Sequence, residues 1–139
     1  MLPVASSAPA PRAVESRPVG PMRPLTILLV DDEDLVRAGT AEMLRDLGHD
    51  VDTAPGGPDA LARLADQRFD LVVTDFMMPG MDGVELAGRI AERVPAPPVL
   101  LITGFIGSAA KADHLPRLAK PFGRAELAGA IQQVMGVAA

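Results

Sequence analysis

The sequence contains no cysteine, no tryptophan and no tyrosine, and its only phenyl rings are four phenylalanines. Without cysteine, neither a disulfide framework nor a thiolate metal site can form. With so few rings and a net charge of −5, the chain lacks the stacking platforms and basic surface that direct nucleic-acid binding requires. No apolar run is long enough to span a bilayer. The segment Met1–Ser7 lacks the basic-then-apolar order of a signal peptide, so the expectation is a soluble cytoplasmic protein that does not contact membranes. Histidine is also scarce. His49 and His114 lie far apart near predicted loops with no accompanying ligand cluster, and read as solvated loop side chains rather than a zinc site.

Proline is plentiful but unevenly placed. Six of the fourteen prolines fall in the first 24 residues: Pro3, Pro9, Pro11, Pro18, Pro21 and Pro24. Alanine, serine and arginine fill much of the rest, a composition that cannot offset its ordering entropy by burial. Residues 1–24 are therefore expected to be a disordered tail or linker. Arg12, Arg17 and Arg23 against Glu15 give this segment +2, which leaves −7 on the remainder. Residues 25–136 are expected to form one domain and 137–139 a short C-terminal tail. At 48% hydrophobic overall, the chain can bury a substantial core.

Strand-like segments alternate with segments of helical period. The apolar runs within 25–30, 70–74 and 99–103, bounded by turn residues, read as buried parallel strands, and the shorter segments 50–54 and 117–119 read as two further strands. Helices are expected over 34–47, 57–67, 83–94 and 123–135, with a weak helix over 107–112. Asp34 is a candidate cap for the first helix and Gly48 its stop. Asp82 reads as a cap for the third, which ends at Pro95, Pro97 and Pro98. The resulting βα repeat implies a flavodoxin-like, doubly wound α/β domain with strand order 2-1-3-4-5 and helices on both faces.

In such a sheet, chemistry gathers at the carboxyl ends of the strands. There the sequence places Asp31-Asp32, Asp75, Thr103 and Lys120, the last in a Lys120–Pro121 pair where a cis bond is plausible. Three carboxylates in one crevice repel one another unless a cation joins them. Asp32, Asp75 and a backbone carbonyl just after Asp75 suit Mg²⁺, with Mn²⁺ as an alternative, and Asp31 can hold a metal-bound water. Asp75 is the candidate nucleophile toward phosphorus. The Lys120 ammonium, the Thr103 hydroxyl and backbone N–H groups would bind the phosphoryl oxygens as charge develops on them.

Four segments then carry a resemblance: Leu28-Leu29-Val30-Asp31-Asp32-Glu33, Asp75-Phe76-Met77-Met78-Pro79-Gly80-Met81-Asp82-Gly83, Thr103-Gly104 and Lys120-Pro121-Phe122. Together, in order and at suitable spacing, they resemble the response-regulator receiver domain of two-component signalling, over about residues 25–136. The resemblance implies that Asp75 accepts a phosphoryl group from a histidine of a sensor kinase or phosphotransfer protein. It implies that Asp31, Asp32, Asp75 and the Met77 carbonyl hold Mg²⁺. It also implies that Thr103 and Lys120 bind the phosphoryl group and couple it to the face built from the fourth helix, fifth strand and fifth helix.

Two features depart from the family pattern. Arg117 stands where the family commonly has a switch tyrosine or phenylalanine, and the stretch from Thr103 to Lys120 is several residues short. Such a protein would regulate rather than catalyse, as a monomer or weak homodimer acting through protein contacts. Two forms fit: a stand-alone regulator, favoured by Met1, or the C-terminal receiver of a hybrid histidine kinase.

Rival readings are weaker. Asp50-Val51-Asp52-Thr53 matches the core of haloacid-dehalogenase-like phosphatases, but no full apolar strand precedes it. A flavodoxin would carry a Ser/Thr/Gly-rich first loop for phosphate, whereas this loop is acidic. The third alternative is a phosphorylation-independent pseudo-receiver, against which stands the presence of all the expected site residues.

Overall fold

A computed structural model of the chain describes residues 23–93, 95–104 and 115–136. The proline-rich segment up to residue 22, the weak helix expected over 107–112, His114 and residues 137–139 lie outside the described residues.

Five parallel strands, β1 (Thr26–Val30), β2 (Asp50–Ala54), β3 (Leu71–Asp75), β4 (Val99–Thr103) and β5 (Arg117–Ala119), form one sheet in the order 2-1-3-4-5. The described helices are α1 (Asp34–Asp46), α2 (Gly57–Asp66), α3 (Gly83–Ala91) and α4 (Arg124–Met135). The fold class, the strand order and these helices agree with the expectations from sequence. The expected third helix runs shorter, ending at Ala91 with Glu92 as its C-cap.

Alternation along the strands divides the core in two, because successive side chains point to opposite faces. Ile27 and Leu29 of β1, with Leu71, Val73, Leu100 and Ile102, pack against Leu44 of α1 and Leu127 and Ile131 of α4. Leu28, Val30 and Val72 face Ala60 of α2 and Leu86, Ala87 and Ile90 of α3. In α3 the buried positions are Gly83, Leu86, Ala87 and Ile90, one face at helical spacing. Helical spacing alone suggests Val84, Ala87, Ile90, Ala91 and Val94 for this face; Ala87 and Ile90 are buried as expected, whereas Val84 is half-buried and Ala91 exposed. Val94 lies outside the described residues.

Two local expectations change. Asp34 does not cap α1. Glu33 is the N-cap and makes no side-chain cap bond, and Asp34 is the first helical residue. His49 is not a solvated loop side chain but is buried, and its Nδ1 accepts the Leu25 backbone N–H at 3.1 Å. Burial holds its pKa below the usual histidine value, which keeps the ring neutral and able to accept that bond. The turn that delivers His49 is a Schellman closure of α1. Gly48, at φ +100°, donates to the Arg45 carbonyl at 2.9 Å, and the His49 N–H donates to that of Leu44 at 3.2 Å. Gly48 thus ends the helix as expected. Asp82 caps α3, its Oδ1 accepting from the Glu85 N–H at 2.8 Å.

Candidate phosphoacceptor site

The strand registers bring the candidate residues to one edge. Val30 lies opposite Thr74, so β1 and β3 deliver Asp31 and Asp75 at the same level. Asp75 lies opposite Ile102, which puts Thr103 one residue further along β4. Thr103 lies opposite Ala119, so Lys120 leaves β5 immediately beyond it. Backbone bonds fix these exits. Asp31 N–H donates to the Ala54 carbonyl at 3.2 Å, Phe76 N–H to that of Ile102 at 2.9 Å, and Lys120 N–H to that of Thr103 at 2.8 Å. The Lys120–Pro121 bond is cis, as expected.

Asp31, Asp32 and Asp75 converge, with one carboxylate oxygen from each lying within 4.8 Å of the others. Asp31 and Asp75 are buried and Asp32 is exposed. Lys120 Nζ lies 3.5 Å from Asp75 Oδ1. Thr103 is buried at the end of β4. Met77 sits on the loop after β3 and is 64% exposed, and with Leu35 it is one of two large apolar residues so exposed among the described residues. Arg117 lies on β5, at the edge of the sheet.

The electrostatics follow from this crowding. Burial is the main force raising the Asp75 pKa, and the Asp31 carboxylate adds to it. The Lys120 charge and hydrogen bond offset this only in part, and the balance lies at about 6. Asp31 is also raised, chiefly by burial, against the lowering effects of the Glu33 N–H and Lys120. Two buried carboxyls that resist ionisation beside a third are unfavourable without a cation. A hard divalent ion bound at about 2.1 Å holds its ligand oxygens up to about 4 Å apart, comparable with the observed spacing. The donor set of oxygens alone, without nitrogen or sulfur, suits such an ion.

Two contributors were not evident from the sequence. Gly83, the first residue of the expected third helix, is packed against the strand that carries Asp75. A Cβ built on it would lie 2.5 Å from the Asp75 carbonyl oxygen and 3.0 Å from Phe76 Cα. Arg37 reaches back from α1, donating from Nη1 to the Asp31 carbonyl at 2.8 Å and from Nη2 to Asp34 Oδ1 at 2.7 Å. The three-residue spacing of Asp34 and Arg37 signals the second of these contacts. Nothing in the sequence signals the first.

The chain matches the response regulator receiver domain family over residues 27–132. It is 36% identical over 114 residues to the response regulator receiver protein CpdR of Brucella abortus, an alignment covering 78% of this chain and 95% of CpdR. It is 33% identical to protein PilG of Pseudomonas aeruginosa, covering 78% of this chain and 85% of PilG. The structure superposes on FixJ-N with a TM-score of 0.75 at 31% identity, over 85% of this chain and 98% of FixJ-N. On chemotaxis protein CheY4 of Vibrio cholerae the TM-score is 0.70 at 30% identity, over 80% of this chain and 98% of CheY4. Among the described residues no helix is long and apolar enough to cross a membrane. With strand order, acidic pocket and relatives in agreement, the chain belongs to the response regulator receiver domain family, and is a signalling protein of the two-component type rather than an enzyme.

Proposed function

We propose that Asp75 accepts a phosphoryl group from a phosphohistidine of a sensor kinase or histidine phosphotransfer protein, with Mg²⁺ held by Asp31, Asp32, Asp75 and the Met77 carbonyl. The observation that carries this reading is the convergence of three carboxylates and the Lys120 ammonium at the carboxyl edge of the sheet. An Asp75 carboxylate oxygen attacks phosphorus, the phosphorus–nitrogen bond breaks, and the imidazole leaves. Lys120, already beside Asp75, holds a phosphoryl oxygen, and Thr103 binds another, so charge that develops in the transition state meets fixed partners. The cation, when bound, neutralises charge on the acidic cluster and on the incoming group. The phosphorylated site then biases a pre-existing conformational equilibrium that alters protein contacts.

Incubation with a small acyl phosphate and Mg²⁺, followed by intact-mass spectrometry, tests the assignment. A single phosphoryl adduct is expected, absent in Asp75→Asn and absent with EDTA. An adduct that persists in Asp75→Asn refutes the nucleophile. No adduct from either the acyl phosphate or phosphorylated kinases would favour a phosphorylation-independent module.

The exposed Met77 side chain stands two residues beyond Asp75 and has no polar atom able to orient an attacking water. Slow loss of the phosphoryl group follows. Met77→Asn is expected to shorten the lifetime of the purified phosphoprotein severalfold, followed by release of phosphate. An unchanged half-life would remove Met77 from this role.

A further inference from the structure

The guanidinium of Arg37 is placed where helix electrostatics disfavour it. It lies back over the first turn of α1, and a cation at a helix N-terminus opposes the macrodipole. Its pairing with Asp34 does not explain this, because the Asp34 side chain is 86% exposed and exposed pairs contribute little. The second contact is the informative one. One arm of the fork donates to the Asp31 carbonyl at 2.8 Å while the other holds Asp34 at 2.7 Å, so Arg37 spans the connection from β1 to α1. That connection carries Asp31 and Asp32. Asp31 is held at its N–H by Ala54, at its carboxylate by the Glu33 N–H at 2.9 Å, and at its carbonyl by Arg37. Asp32 is exposed, so the backbone of this connection determines where its carboxylate sits.

We infer that Arg37 is a positioning residue for the cation site, a clamp on the β1–α1 connection that presets the backbone from which Asp31 and Asp32 reach the ion. The planar fork is the means, since only a guanidinium presents two fixed donors to a carbonyl and a carboxylate at once. The inference rests on the cation site proposed above.

The sign of a single measurement separates clamp from charge. Removing a nearby positive charge should tighten binding of a divalent cation, whereas removing a clamp should weaken it. Mg²⁺ titration by calorimetry is expected to show Arg37→Ala binding about tenfold or more weakly than wild type, the usual loss when a residue orienting a metal ligand is removed. Arg37→Lys keeps the charge without the fork and is expected to be weakened as well. Amide spectra of the metal-free proteins establish that each is folded, and if Arg37→Ala is not, Arg37→Lys decides alone. Unchanged or tighter binding in the folded variants overturns the clamp and leaves the cation site standing. A wild-type protein that takes up no Mg²⁺ overturns the site itself, and the clamp with it.

Discussion

Gly83→Ala is expected to destabilise the domain by about 3 kcal/mol, a large part of the roughly 5–15 kcal/mol that holds a domain of this size together. The new Cβ would meet the Asp75 carbonyl oxygen at 2.5 Å, Leu101 Cδ2 at 2.7 Å and Phe76 Cα at 3.0 Å. Two of these three neighbours are backbone atoms, at the end of β3 and just beyond it, and cannot rotate away. Relief requires α3 to shift from the sheet, which loosens the contacts of Leu86 and Ile90 and moves the strand end that presents Asp75. Gly57→Ala is the matched control. Its Cβ would also meet an atom at 2.5 Å, but that atom is Met81 Sδ, at the end of a flexible side chain, and a cost of about 1 kcal/mol or less is expected. Urea unfolding of the two variants is the test, and equal midpoints for Gly83→Ala and wild type would show that α3 is free to move.

Asp75→Asn is expected to stabilise the metal-free protein at pH 7 by about 2–3 kcal/mol, even as it removes the proposed phosphoacceptor. Folding raises the Asp75 pKa from 3.8 to about 6. A group raised on folding contributes stability that is fully present below its unfolded value, near pH 3.8, and is lost as pH rises through its folded value, near 6. Wild type should therefore lose stability between about pH 4 and pH 7 in EDTA, and Asp31, shifted in the same direction, adds to the loss. Asparagine cannot ionise, so the two proteins should diverge across this window and converge below it. Mg²⁺ should close this gap, because an ion that binds only the folded state stabilises it by about 2.7 kcal/mol at a hundred times its dissociation constant. Thermal unfolding across pH, with and without Mg²⁺, would reveal the pattern. An Asp75→Asn protein less stable than wild type at pH 7 in EDTA would mean that Lys120 more than compensates the buried charge.

Both effects arise from one design. The end of the sheet is packed tightly by Gly83 below and loaded with carboxylates above, so stability is given up where the chemistry is proposed to occur. The raised Asp75 pKa expresses its burial beside Asp31 and Asp32, a cost that the proposed cation would relieve.

What the sequence determined by itself is what periodicity and strand-end chemistry encode locally. Three apolar runs and two shorter strand segments, separated by helical segments, specify a parallel sheet covered on both faces, and the residues that close the runs ending at Val30, Thr74 and Ile102 and the segment 117–119 specify where Asp31, Asp32, Asp75, Thr103 and Lys120 leave it. Parallel topology then forces those exits to one edge. The tertiary structure alone decided contacts that neither periodicity nor strand-end chemistry encodes. His49 reads as a loop residue until β1 presents the Leu25 N–H to it. Gly83 reads only as the start of the third helix until α3 is set against β3. Arg37 shows only its spacing from Asp34 in the sequence until α1 is set beyond β1 and brings it to the Asp31 carbonyl. In each case the partner is a backbone atom, which carries no side-chain signature in the sequence, and only the approach of two elements reveals it.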